Sequence, residues 1–193
     1  MDVEDVSGIE QWMQMLAKQK AALENANKRK GERPRDRKPL NQLVTQYMAS
    51  YARTAMMKMQ QSHMMYHSFV APSYLPSIAP FEKLKKVFLT DLKLQTHHMD
   101  TYVLLRVATP AFSMTAVMAI LEDEMGDGVM LQLYQQVDQH DRAAEDVVKL
   151  KSVCMIKEPY FKVMNDGGTC IAKGMIANPM LNPRVSELLL RLV

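Results

Sequence analysis

The sequence predicts an α+β protein, in which a helical N-terminal extension precedes a small five-stranded β-barrel. Residues 1–68 carry apolar side chains at helical spacing. Residues 101–176 instead contain short apolar or alternating runs between turn residues, with one helical segment between the third and fourth runs. A chain of 193 residues can hold one domain of roughly 100 to 150 residues and such an extension.

The extension is predicted to contain two helices. Ser7 followed by Glu10 has the pattern of a capping box, whose side chains bond the free amides at the start of a helix. This helix is expected to run to about Asn27, and a second one from just after Pro39 toward His67. The apolar residues of the first helix fall near one face: Ile9, Trp12, Met13, Leu16 and Leu23.

A basic linker, residues 28–38, separates the two helices. It holds seven basic and two acidic residues, so it carries +5 while the rest of the chain carries −2. Gly31 and Pro34 predict an exposed, non-helical segment. It is interpreted either as a solvated linker or import signal, or as a basic arm for nucleic acid. The arm residues would be Lys28, Arg29, Lys30, Arg33, Arg35, Arg37 and Lys38.

A proline-rich connector and a lead-in are predicted over residues 69–100, because Pro72, Pro76 and Pro80 end any helix there. At the other end of the chain, residues 177–193 are expected to form a short tail or helix. Asn182 and Pro183 would begin that helix, and its apolar residues would be Leu188, Leu189, Leu190 and Leu192.

The barrel prediction depends on the order of its elements. Five strands are expected, with a helix over Asp138–Leu150 between the third and the fourth: Tyr102–Val107, Ser113–Leu121, Gly128–Tyr134, Ser152–Lys157 and Thr169–Ala172. The glycine-containing segments Glu122–Gly128 and Asn165–Gly168 are typical of hairpin turns. This order is the plan of an OB-like barrel, a shape used mostly for binding.

Three strings within the barrel resemble a known family. They are Thr115–Glu124, Leu131–Tyr134 and Cys154–Lys162, and they resemble the N-terminal region of fungal SET- and TPR-domain proteins. The resemblance covers about Trp12 to Ala172, including Phe69–Tyr74 and Leu94–His98. In that family a helical leader and a Pro-rich connector precede this block, and helical repeats and a SET methyltransferase domain follow it. The resemblance implies membership of the family, but no chemistry for the block.

The sequence departs from that family after Gly168. Cys170–Met175 stands where the family continues with an Arg-Val-Asp-His type segment. The sequence contains neither the Asn-His-x-Cys and Gly-Glu-Glu-Leu segments of a SET domain nor a 34-residue helical repeat. Methyltransferase activity is therefore assigned to no residue here. The apolar run before Val193 leads us to expect a truncated or alternatively read C-terminus.

Candidate metal ligands occur in two places. The chain has 18 methionines, and seven Met and His residues lie within twelve positions: Met56, Met57, Met59, His63, Met64, Met65 and His67. Thioether and imidazole groups suit Cu(I), but methionine more often packs or grips a partner. His97, His98 and Asp100 form the second group. Adjacent strand residues point to opposite faces, so a structural role is expected for these histidines.

Catalytic motifs are missing from the sequence. It has no Gly-x-Ser-x-Gly elbow and no glycine-rich phosphate loop followed by a helix. Cys154 has no basic neighbour closer in sequence than Lys157, and Cys154 and Cys170 are interpreted as reduced core residues. We therefore expect no enzyme and no cofactor.

The aromatic and basic residues of the barrel suggest a binding face. Its members would be Tyr102, Arg106, Tyr134, Lys157, Tyr160, Phe161 and Lys162, although about half of such aromatics would belong to a core. The sequence thus predicts a non-catalytic interaction module that binds a protein partner. One alternative is an OB-like domain that binds single-stranded nucleic acid, and another is a truncated fragment of a protein-lysine methyltransferase.

The expected location is the nucleus or the cytoplasm. The acidic N-terminus, Met1–Asp5, has neither the basic region nor the apolar run of a signal peptide. No run of apolar residues approaches the 18 or so needed to span a bilayer, so no membrane partner is expected.

Overall fold

A computed structural model describes residues 3–60, 79–113, 116–134, 143–164, 168–173 and 191–192. Two long helices, α1 (Val3–Lys28) and α2 (Leu40–Gln60), precede the strands of the sheet. A short helix, α3 (Ala144–Val147), comes between two of those strands along the chain. Two 3-10 turns cover Phe81–Lys83 and Leu89–Asp91. The strands are β1 (Lys85–Lys86), β2 (Thr96–His97), β3 (Thr101–Val107), β4 (Phe112–Ser113), β5 (Val117–Glu122), β6 (Gly128–Leu133), β7 (Val153–Lys157), β8 (Tyr160–Val163), β9 (Thr169–Lys173) and β10 (Arg191–Leu192).

The long strands form one curled, OB-like sheet. β3 pairs antiparallel with β5 and with β7, and β5 pairs antiparallel with β6. β6 then pairs parallel with β9, which pairs antiparallel with β8. Only Glu158 and Pro159 separate β7 from β8, so one bent strand connects the two ends of this path. The bend is held where the Glu158 amide donates to the Thr101 carbonyl at 2.7 Å.

The five predicted strands are all present, with ends that differ by one or two residues in most cases. Ser113–Leu121 is wrong as a single strand, because β4 and β5 are separate. The fourth strand is longer than predicted, since β8 extends it past Pro159. A proline interrupts the alternating pattern there, which is why sequence periodicity missed β8.

The helix predictions need corrections at their ends. α1 begins at Val3, so Ser7 lies inside the helix and does not cap it. α3 is only four residues long, and residues 135–142, including Asp138, lie outside the described part. Arg191–Leu192 pairs with β7 as a strand, whereas a final helix was expected to include Leu192. Residues 61–78 and 174–190, where the connector and most of that helix were predicted, also lie outside it.

The core fills the inside of the curled sheet. Alternate residues of each long strand point inward and are almost completely buried, as the two-residue period requires: Val103, Leu105, Val107, Val117, Ala119, Leu121, Val129, Leu131, Leu133, Cys154, Ile156, Phe161 and Ile171. Leu89, Leu92 and Leu94 from the lead-in are buried in the same cluster, together with Val148 beside α3. The lead-in is therefore part of the core rather than a separate connector.

Helix α2 packs against the outer face of β5 and β6. A Cβ on Gly128 would lie 2.9 Å from Leu40 Cδ1 and 3.0 Å from Leu43 Cδ1, so the missing side chain lets the helix approach. One turn further along, the Tyr47 hydroxyl lies 2.7 Å from the carbonyl oxygens of Pro110 and Met118. Burial raises the pKa of Tyr47 above its usual range. These contacts fix the position of α2 over β5 and β6.

Gly128→Ala should push α2 away from the sheet. The added Cβ would also lie 3.3 Å from the Leu40 Cα, and backbone cannot yield as a side-chain end can. Overpacking should outweigh the entropic benefit of alanine, and we expect the free energy of unfolding to fall by about 1–2 kcal/mol. Urea titration followed by circular dichroism would measure it.

The double variant with Leu43→Ala supplies the control. Removing the Leu43 side chain relieves one of the close contacts. The free energy of unfolding lost in the double variant should therefore be smaller than the sum of the losses in the two single variants. Full additivity, or no loss in Gly128→Ala, would contradict the close approach of α2.

Candidate functional site

The basic segment, residues 28–38, lies against the domain rather than extending freely from it. The Gly31 amide donates to the Leu94 carbonyl, and the Leu94 amide donates back to the Glu32 carbonyl, both at 2.9 Å. Arg33 forms an exposed ion pair with Asp91 at 3.3 Å. The expectation of a solvent-exposed segment is confirmed for Lys28, Lys30, Arg33 and Arg35, but its path over the lead-in is fixed by backbone hydrogen bonds.

Arg37 differs from the other basic residues because its guanidinium turns into the fold. It donates to the Leu89 carbonyl, and its Cζ lies 5.4 Å from the centre of the Phe161 ring. Burial lowers the pKa of Arg37 from its usual value, while the carboxylates of Asp127, Asp123 and Asp91 act in the opposite direction. Arg37 therefore joins the basic segment to the core, and it is not part of a free basic arm.

Asp123 forms the other half of this junction. Its carboxylate accepts the amides of Met125 and Asp127 at 3.0 Å, which holds the turn between β5 and β6. The second oxygen accepts the Leu89 amide at 3.1 Å. The acidic turn is thus connected to the lead-in, and the hairpin predicted at Glu122–Gly128 is confirmed.

The predicted binding face is divided by the fold. Tyr102 packs on Phe81 with ring centres 5.3 Å apart, and Arg106 forms an ion pair with Glu122. Lys157 is buried, and its Nζ lies 3.5 Å from the Ala79 carbonyl oxygen. Including Phe161 in the face is wrong, because its side chain points inward and is completely buried. The face therefore does not exist as one continuous surface.

The remaining three members lie on the outer side of β6, β8 and β9. Lys162 Nζ donates to the Tyr134 hydroxyl at 3.0 Å and lies 4.8 Å from the centre of its ring. The Tyr134 hydroxyl donates in turn to Gln132 Oε1 at 2.6 Å. The Tyr160 hydroxyl donates to Gln95 at 3.2 Å, and burial raises the pKa of Tyr160. Each of the three is half-buried and already makes polar contacts within the chain.

A pocket of about 280 Å³ lies between α2, the basic segment and the outer face of the sheet. Its apolar lining includes Leu43, Tyr47, Phe112, Met118, Met130 and Met164. Asp36, Arg37 and Lys38 line it from the basic segment, and Lys38 Nζ donates to Gln46 of α2 at 3.0 Å. Sequence analysis missed this pocket. The local sequence feature that could have indicated it is the pair of outward-facing methionines, Met118 of β5 and Met130 of β6, which line the pocket with Gly128.

His98 in the lead-in has a structural role. The Lys93 amide donates to His98 Nε2 at 2.8 Å, and His98 Nδ1 lies 3.2 Å from the Pro159 carbonyl oxygen. The ring therefore carries its proton on Nδ1 and connects the lead-in to the bend between β7 and β8. Burial lowers the pKa of His98, which favours this neutral form.

The predicted metal ligands and the two cysteines lie partly within the described ranges. Within the described ranges, His, Cys, Asp and Glu side chains form no group of three placed to hold a metal ion. Of the Met/His cluster, Met56 on α2 is exposed, and residues 61–67 lie outside the described part of the chain. Cys154 and Cys170 are buried thiols that are not joined by a disulfide, as predicted. None of the helices that the structure describes is long and apolar enough to cross a membrane.

Comparison with known proteins finds a fungal relative of this chain. A methyltransferase from Gibberella zeae is 34% identical over 167 residues, which is 86% of this chain and 21% of that protein. This chain thus spans about a fifth of the relative's length. The resemblance to a fungal methyltransferase is confirmed, while the SET- and TPR-domain assignment stays a prediction. No family model matches the sequence.

Solved structures with a related chain path include two of fission yeast Pot1. The Schizosaccharomyces pombe Pot1pC structure bound to single-stranded DNA has a TM-score of 0.38 and 10% identity, over 54% of this chain and 94% of that one. A structure of fission yeast Pot1 and single-stranded DNA has a TM-score of 0.39, also at 10% identity, over 55% of this chain and 44% of that one. Similarity this low says nothing about what the present chain binds.

Arg37→Ala should destabilise the protein much more than Arg35→Ala. The first change removes the hydrogen bond to Leu89 and the contact with Phe161, and we expect a loss of about 1–3 kcal/mol in the free energy of unfolding. Arg35 is exposed, so its removal should change that energy by less than about 0.5 kcal/mol. Equal, small effects in chemical unfolding would contradict a structural role for Arg37.

Proposed function

We propose that this chain is a non-catalytic protein-interaction module, equivalent to the N-terminal region of a SET- and TPR-domain protein. One observation carries the proposal. OB folds bind their ligands mainly across the second and third strands, and in this chain α2 covers the outer face of β5 and β6, which hold those positions. A ligand on that face would have to displace Leu43 and Tyr47.

The remaining contacts support the same conclusion. Tyr102 packs against Phe81, and Lys162 lies over the Tyr134 ring, so both rings that could stack on a base already make a contact within the chain. The basic segment is held along the lead-in, and Arg37 supports the core. The positions of Tyr102, Tyr134, Lys162 and Arg37 are thus explained by contacts within the chain, without an oligonucleotide.

The helical extension offers a surface of the opposite character. Met13, Leu16 and Leu23 on α1 are exposed to 60%, 40% and 57%, and Met48 and Met56 on α2 are exposed as well. Apolar side chains grouped on an exposed surface are typical of contacts between proteins. The extension is therefore the part of the chain that we assign to partner binding.

The proposal predicts that the chain does not bind S-adenosylmethionine. Isothermal calorimetry should give only heats of dilution, because this sequence lacks the Asn-His-x-Cys and Gly-Glu-Glu-Leu segments of a SET domain. An active SET methyltransferase titrated in the same buffer is the positive control. Saturable binding at one site per chain would contradict the proposal and favour the methyltransferase-fragment alternative.

Single-strand nucleic-acid binding is the second candidate, favoured by the outward cluster of Tyr134, Tyr160 and Lys162. Under our proposal, the double variant Tyr160→Ala, Lys162→Ala should bind a labelled oligonucleotide with the same affinity as the unchanged chain. Fluorescence anisotropy would measure that affinity. Exposed Lys30 and Arg35 can hold phosphates nonspecifically, so their double alanine variant is the matched control. A loss of roughly tenfold or more in the Tyr160, Lys162 variant alone would support the nucleic-acid candidate.

A further inference from the structure

Helix α1 carries an apolar face that the described part of the domain does not cover. Its 26 residues extend about 39 Å at the rise of an α-helix. The helix contacts β8, and Ala26 near its C-terminal end is buried. Met13, Leu16 and Leu23 precede Ala26 in the same helix, and they are largely exposed. Within the part of the chain that the structure describes, these three side chains are thus open to contact with another chain.

The spacing along α1 is that of a helix that pairs with another helix. In the sequence Ile9, Leu16 and Leu23 stand seven residues apart, and Trp12 follows Ile9 by three. Apolar residues at the first and fourth positions of a heptad form the seam of a coiled coil. The later fourth positions hold Gln19 and Ala26, of which Ala26 is buried, and Lys20 lies next to this seam between Leu16 and Leu23.

The charges of α1 are divided between its two halves. Before position 11 the charged residues of the helix are all acidic: Glu4, Asp5 and Glu10. After position 17 three of the four charged residues of the helix are basic, Lys18, Lys20 and Lys28, with Glu24 the exception. Two copies in parallel would place like charges together. Two antiparallel copies place the acidic half of each beside the basic half of the other, which lowers the electrostatic free energy.

We propose that α1 is a homodimerisation element, which pairs antiparallel with α1 of a second copy of this chain about a two-fold axis near Leu16. This register places position 9 opposite position 23, and position 4 opposite position 28. Both copies use the same surface, as a two-fold interface requires. The inference rests on the proposed protein-interaction role and names the partner as a second copy.

Analytical ultracentrifugation of the full chain tests the dimer. We expect a concentration-dependent rise from 22.0 kDa toward twice that mass between about 1 µM and about 1 mM. Leu16→Glu would place two carboxylates at the two-fold axis and should weaken association by roughly tenfold or more. Ala21→Glu adds the same charge at an exposed position on the other side of the helix and should leave association unchanged. Both variants keep good helix formers, which circular dichroism would confirm.

Cross-linking through introduced cysteines tests the orientation. The native thiols of Cys154 and Cys170 are buried, so they should not compete. An equimolar mixture of Ile9→Cys and Leu23→Cys should form a disulfide-linked dimer under mild oxidation, while each variant alone should not. Cross-linking of Leu23→Cys with itself would indicate a parallel pair and would contradict the proposal.

A chain that stays at 22.0 kDa over the whole concentration range would also overturn the dimer. The apolar face of α1 would then belong to a different protein, and the interaction role proposed above would stand. Binding of S-adenosylmethionine, by contrast, would contradict that role without affecting the oligomeric state. The two proposals therefore fail in separate measurements.

Discussion

The contact between α2 and the outer face of β5 and β6 determines how the rest of the chain is arranged. It depends on Gly128, where the absence of a side chain lets Leu40 and Leu43 approach the strand, and on Tyr47, whose hydroxyl meets two backbone carbonyls. Because the basic segment leads directly into α2, the position of this helix also determines where Arg37 enters the fold. A pocket and a covered strand face both result from this one contact.

The junction around Leu89 shows how contacts between distant segments join the lead-in to the sheet. Its carbonyl accepts Arg37, its amide is held by Asp123, and its side chain is buried in the core. A basic segment, an acidic turn and an apolar lead-in thus meet at one residue. Opposite charges brought together beside a buried ring are stabilised because little water is left to screen them. Residues 79–100 are consequently as much a part of the domain as the strands.

The sheet domain and helix α1 present surfaces of different kinds. Tyr134, Lys162 and Arg37, which would suit a nucleic-acid surface, make contacts within the domain, while Met13, Leu16 and Leu23 of α1 are exposed. Similarity to part of a fungal methyltransferase is compatible with this arrangement, since interaction and catalysis occupy different segments of long multidomain chains. Association through α1 would couple two such chains without involving the barrel surface.

The sequence by itself determined most of the long strands, the turn at Glu122–Gly128 and the α+β class, because alternation and turn chemistry are local properties of the chain. It also determined the apolar face of α1. Tertiary structure alone decided that Phe161 is core, that Arg37 is structural and that the predicted binding face is divided. It also decided that β8 continues β7 beyond Pro159. Each of these depends on contacts between residues far apart in sequence: Phe161 and Arg37 are 124 positions apart, and no local pattern records which side of a curled sheet a helix will cover.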